Sequence, residues 1–157
     1  MDAQQWRSGG PMAVDMRCDM VQGHDESGAE VFRNISLDNP AGIPNLLTIS
    51  DDKDSLTIRC SFEEHGTYEI VINDVFCYKK TEERFMLSTV EMMHRSNNLG
   101  SFAVSVSASR LVKWLEEESL GTTVGLSMSH IKLFFSQDIV DIILSDDAMR
   151  GIIVARL

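Results

Sequence analysis

Four histidines, three cysteines and several runs of carboxylates are the side chains here with the most chemical potential. His24, His65, His94 and His130 are far apart, and none stands in H-E-x-x-H or another metal-ligand spacing. An enzyme or ligand-binding domain would need His65 or His130 in a pocket, paired in space as acid or base. Surface or satisfied core positions are the plainer expectation for both. Asp52, Asp54 and Glu63 match the first, third and last positions of a calcium loop. Leu56 stands where that loop needs an oxygen ligand, and Thr57 where it needs glycine, so the calcium reading fails. Ser8-Gly9-Gly10 lacks the lysine and the strand–loop–helix setting of a phosphate loop, and neither G-x-S-x-G nor a dinucleotide fingerprint occurs. Cys18, Cys60 and Cys77 are odd in number with no C-x-x-C, which gives neither a disulfide framework nor a zinc site. Cys60 and Cys77 fall in apolar strand patterns, where inert buried thiols are expected. No catalytic residue, metal or cofactor is expected.

The carboxylates are more informative. With 14 basic and 24 acidic side chains the net charge is −10. Nucleic-acid binders carry a basic footprint, and anionic membrane surfaces attract one, so both partners are disfavoured. A basic protein partner would be steered towards this chain, although acidity also serves solubility alone. The clusters are Asp51-Asp52-Lys53-Asp54, Glu63-Glu64, Glu116-Glu117-Glu118 and Asp146-Asp147. Glu116, Glu117 and Glu118 end an expected helix, where the macrodipole disfavours anions. Lys113 and Glu117 form an i, i+4 pair in the less favourable orientation and compensate little. Helix stability therefore does not explain that cluster. The partner-binding candidates are Glu116, Glu117 and Glu118 first, then Asp51, Asp52, Asp54, Glu63 and Glu64.

These groups must be positioned by the elements around them. Leu111, Trp114 and Leu115 make an apolar stripe over an expected helix at 109–120, which Ser109 caps and Gly121 ends. A hairpin follows. Pairing Phe135 with Val140, Leu133 with Ile142 and Ile131 with Leu144 leaves the four-residue loop 136–139 and puts six apolar side chains on one face. The helix stripe is the natural lid for that face.

Before the helix, strands are expected at 30–37, 46–50, 55–62, 67–78 and 101–107. Leu56, Ile58, Cys60 and Phe62 alternate with polar residues, as in a half-buried strand, and 63–66 turns the chain. Asn73-Asp74 interrupts 67–78 as a bulge would, and 79–84 reads as a charged connection. Residues 85–95 fit helix and strand equally, and 150–157 gives a last strand. Residues 1–28 carry little periodicity, with a weak strand pattern at 12–21.

A chain of 157 residues is one domain by its length, spanning 1–157. The expected class is α+β, a mostly antiparallel sheet with a helix on one face. No basic segment leads into an apolar run at the start, and no stretch approaches a membrane span, so a soluble, cytoplasmic protein is expected.

The stretch 109–144, with SRLVKWLEEESLG followed by SHIKLFFSQDIVDIIL, resembles the helix-then-hairpin ending of immunity proteins from bacterial contact-dependent growth inhibition and related polymorphic-toxin systems. The likeness covers roughly a quarter of the chain and contains no invariant chemical motif. It implies a non-enzymatic protein that binds the toxic domain of a cognate effector, often a nuclease, and occludes its active site or substrate surface. Acidity suits that role, because a nuclease presents a basic groove shaped for phosphates.

Overall fold

The computed structural model describes residues 28–53 and 55–157. Asp54, Cys18, His24 and the strand pattern at 12–21 lie outside the described residues. The class is α+β, with two antiparallel sheets and short helices.

The strands are β1 (Val31–Asn34), β2 (Asn45–Asp52), β3 (Ser55–Phe62), β4 (Gly66–Asn73), β5 (Val75–Glu82), β6 (Ala103–Ser107), β7 (Met128–Phe134), β8 (Asp138–Ser145) and β9 (Ile153–Arg156). The α-helices are α1 (Leu87–Arg95), α2 (Arg110–Glu118) and the single turn α3 (Asp146–Met149). The larger sheet has the order β1-β6-β7-β8-β5 and the smaller one β2-β3-β4-β9.

One core lies between the two sheets. Leu56, Ile58, Cys60 and Phe62 of β3 and Ile70 and Ile72 of β4 pack against Ile131, Leu133, Phe135, Val140, Ile142 and Leu144. Phe62, Phe102 and Phe135 meet edge to face across this layer, with ring centroids 5.9 and 5.4 Å apart. The smaller sheet leaves its other face to water, where Arg59 and Glu69, direct cross-strand partners, form a 2.8 Å ion pair. The larger sheet is covered on both faces. A second cluster of Phe32, Met93, Val104, Val106, Phe134 and Ile139 lies on its far side, with Met86 and Met92 packed against it.

This arrangement corrects the expected lid. The six apolar side chains of the hairpin do share one face, but the smaller sheet covers it. Helix α2 starts on the opposite face, beside His130, and buries none of its residues. The hairpin register also differs by two residues. Leu133 pairs with Val140 and Ile131 with Ile142, and the Phe135 N–H donates to the Asp138 carbonyl at 2.8 Å. The turn is therefore Ser136-Gln137, and the tighter turn adds the rung Phe134–Ile139 to the ladder. A shift of two preserves the face of every side chain.

Stretch 67–78 is two strands rather than one with a bulge. Asp74 adopts φ 50°, a left-handed conformation in which the chain leaves β4 and enters β5 in the other sheet. The charged connection expected at 79–84 largely belongs to β5, an edge strand whose Lys79 and Lys80 are exposed; Lys80 pairs with Asp138 at 2.5 Å. Within 85–95, Leu87–Arg95 is helix and Phe85 closes a short 3-10 turn, because Thr89, Met92 and Met93 lie at i, i+3 and i+4 on the covered side.

Candidate functional site

Two places gather polar groups, and they differ in kind. The first is buried. Strand β8 reads Ile139-Val140-Asp141-Ile142-Ile143-Leu144, and all six residues are buried because this strand lies inside a sheet covered on both faces. Asp141, the one charge within this buried run, needs a partner in that position. Lys132 is the direct cross-strand neighbour, and its Nζ contacts Asp141 Oδ1. His130, two residues earlier on the same face of β7, places Nε2 at 2.8 Å from the same oxygen. Its Nδ1 lies 2.7 Å from Ser109 Oγ, which in turn accepts the Val112 N–H at 3.0 Å as the N-cap of α2.

With Nε2 of His130 carrying the ring proton, every bond in this chain has a donor. Val112 N–H donates to Ser109, the Ser109 hydroxyl to His130 Nδ1, and His130 Nε2–H to the Asp141 carboxylate, which Lys132 neutralises. Burial pushes the Asp141 carboxyl upwards, but the His130 hydrogen bond and the charge and hydrogen bond of Lys132 outweigh it, so the net shift is downwards. The residue types are those of a hydrolase triad, yet the wiring differs. There the nucleophile bonds Nε2 and the carboxylate Nδ1, whereas here the two nitrogens are exchanged. The Ser109 oxygen is occupied as a helix cap, and His130 and Asp141 are each only 3% exposed. The arrangement positions α2 on the sheet.

The second place is exposed. Strands β2, β4 and β8 all end at one edge of the two-sheet core. Asp51 and Asp52, with Lys53, Ser55, Asp74 and Val75, line a polar cleft of about 140 Å³. The Ser145 N–H donates to the Asp74 carbonyl at 3.2 Å, which brings α3 with Asp146 and Asp147 to the same end. Ser129 Oγ holds Asp146 Oδ1 at 2.6 Å, while Asp51, Asp52, Asp74 and Asp147 stay exposed. Among the described residues, no group of three or more His, Cys, Asp or Glu side chains is arranged to hold a metal ion.

The expected partner-binding residues divide among three locations. Asp51 and Asp52 belong to this acidic end. Glu63 and Glu64 form the exposed β3–β4 turn, at the far end of an eight-residue strand and so roughly 25 Å away. Glu116, Glu117 and Glu118 are exposed on α2, on the far side of the larger sheet. His65 is exposed in the Glu63–Gly66 turn of the smaller sheet, while His130 is buried in the larger one, so they do not form a pair. An apolar cleft of about 200 Å³, lined in part by Ile43, Val90, Met93, Leu99, Phe134 and Phe135, contains neither histidine.

Sequence reasoning overlooked Asp74, Lys132, Asp141 and the second role of Ser109. A charge inside the run IVDIIL was the available signal for Asp141, since a central-strand carboxylate demands a buried cation. Cys60 is buried as expected, whereas Cys77, on the edge strand β5, is only half-buried. Burial pushes Cys60 up to about 11, and burial followed by the Asp141 charge raises Cys77, so neither is an activated nucleophile at neutral pH. No family model, curated protein or solved structure matches the chain.

Proposed function

We propose that the chain is an immunity protein that binds a basic toxin domain, a nuclease by preference, and occludes its active site or substrate surface without chemistry of its own. The observation that carries this reading is the acidic end of the sandwich. Asp51, Asp52, Asp74, Asp146 and Asp147 come from separate segments and converge there, with Lys53 the one cation among the described residues that line the cleft. A cleft of about 140 Å³ walled by carboxylates suits a lysine or arginine side chain, and a nuclease groove presents several of these.

The acidic end is favoured over α2 for this contact. Arg110 and Lys113 share the exposed side of α2 with Glu117 and Glu118, so that surface is not uniformly acidic. Glu63 and Glu64 lie at the other end of the core, in a turn whose Gly66 is approached by the Arg156 guanidinium. The net charge of −10 would speed encounter with a cation-rich partner whatever the final contact.

Co-expression with a toxin domain encoded beside this chain is the test. The reading requires growth to be restored and the two proteins to copurify. A tagged chain that leaves growth arrest unrelieved and retains no toxin would sink it.

A further inference from the structure

Helix α2 carries an amphipathic pattern, yet it leaves one complete side in water. Leu111, Val112, Leu115 and Ser119 are half-buried and form its covered side. Arg110, Lys113, Trp114, Glu117 and Glu118 fall at i, i+3, i+4, i+7 and i+8, a contiguous stripe, and every one is exposed. Trp114 sits at the middle of that stripe with 49% of its surface in solvent. Both cations lie on its N-terminal side and both of these glutamates on its C-terminal side.

The signs are the reverse of what the helix itself favours. The positive end of the macrodipole carries Arg110 and Lys113, and the negative end carries Glu117 and Glu118. The start of the helix is answered from elsewhere, by Glu30 Oε1, which accepts the Arg110 N–H at 2.9 Å. Within the stripe the one ion pair is loose, with Lys113 Nζ 4.0 Å from Glu117 Oε1 and both side chains largely solvated. A uniformly basic partner would meet Arg110 and Lys113 as like charges. The stripe is complementary to itself.

We propose that α2 is a dimerisation surface whose occupant is α2 of a second copy of this chain, packed antiparallel about a two-fold axis at Trp114. In that arrangement Arg110 of each copy faces Glu118 of the other, Lys113 lies beside the opposing glutamates, and the indoles meet at the axis. This is an isologous contact, in which each interaction occurs twice. The macrodipoles run antiparallel, and each end meets the opposite charge on its neighbour. Leu120, Val124 and Leu126 in the loop after α2 are 93%, 83% and 47% exposed and supply apolar surface beside the helix. Helix and loop together fall short of the roughly 20–30 residues per side of a standard interface, so the dimer is weak and concentration-dependent. The proposal is independent of the immunity reading, because it needs no toxin.

Sedimentation velocity on the full chain, from about 1 μM to about 1 mM, tests it together with two charge variants. Wild type is expected to shift from monomer to dimer across that range, less so at high salt. Glu117→Lys/Glu118→Lys makes the stripe wholly basic, Arg110→Glu/Lys113→Glu makes it wholly acidic, and each variant alone should stay monomeric. Mixed in equal amounts they should form a heterodimer at least about tenfold tighter than the wild-type homodimer. Each reversal puts a charge where the macrodipole favours it, so both variants should keep their helix by circular dichroism. A wild type that stays monomeric throughout, a variant that dimerises alone as wild type does, or a mixture that stays monomeric would overturn the proposal.

Discussion

His130 and Asp141 sit diagonally across β7 and β8, neighbouring inner strands of the larger sheet, with Nε2 and Oδ1 2.8 Å apart. The other ring nitrogen reaches Ser109, the residue that starts α2. A single imidazole therefore couples the buried Lys132–Asp141 pair to the first turn of a surface helix.

Removing parts of this chain should produce unequal losses. Ser109→Ala loses a cap and leaves His130 Nδ1 without its donor, and should cost about 1–2 kcal/mol. Asp141→Ala strands the Lys132 ammonium in the core and should cost about 3–5 kcal/mol. Urea melts monitored by far-ultraviolet circular dichroism give both values, and equal losses would contradict the ordering.

The same carboxylate sets an acid limit on stability. Its ordinary pKa of 3.8 is lowered in the folded chain, so the folded state favours the ionised form. That contribution is complete above the unfolded-state value and is lost as pH falls through the lower folded-state value. Unfolding free energy measured from pH 6 down to about 2 should therefore fall less steeply for Asp141→Asn than for wild type in the acid limb. Parallel curves would show that Asp141 contributes nothing there.

Core and surface should separate cleanly by truncation. Leu133 is fully buried between the two sheets, and Leu133→Ala should cost about 2–5 kcal/mol. Trp114 is 49% exposed, so Trp114→Ala should cost no more than about 1 kcal/mol in the monomer despite the larger side chain. Chemical denaturation at low protein concentration makes the comparison. A larger loss at Trp114 than at Leu133 would mean that α2 is packed far more tightly than its exposure indicates.

The faces of strands were legible in the sequence, in half-exposed β3 and in the largely buried β7 and β8 alike. Alternation located β3 to the residue, because Leu56, Ile58, Cys60 and Phe62 face the core while Thr57 and Arg59 face water or the sheet margin. The hairpin faces were equally clear, since they depend only on parity, whereas register depends on turn geometry and slipped by two. The pairing of sheets could not be read. An apolar face is equally well covered by a helix stripe or by a second sheet, and the β4–β5 crossover at Asp74 looks locally like a bulge. The charge clusters were visible as runs, but which of them meet is a tertiary fact. Asp74 and Asp146 join Asp51 and Asp52 only because β4 and β8 finish side by side, linked by the Ser145–Asp74 hydrogen bond of 3.2 Å.

The central claim, recognition of a basic toxin domain by this acidic end, is tested most directly by a stopped-flow association rate. The purified chain would be mixed with the toxin domain identified by the co-expression test over a range of salt, as wild type and as Asp51→Asn/Asp52→Asn/Asp74→Asn/Asp147→Asn. Asparagine tolerates the left-handed backbone at position 74, so the neutralised protein keeps its crossover. The account predicts a wild-type rate that drops steeply with salt, and a neutralised variant at least about tenfold slower at low salt with a flattened salt dependence. Equal rates for the two proteins at every salt concentration would contradict recognition through the acidic end.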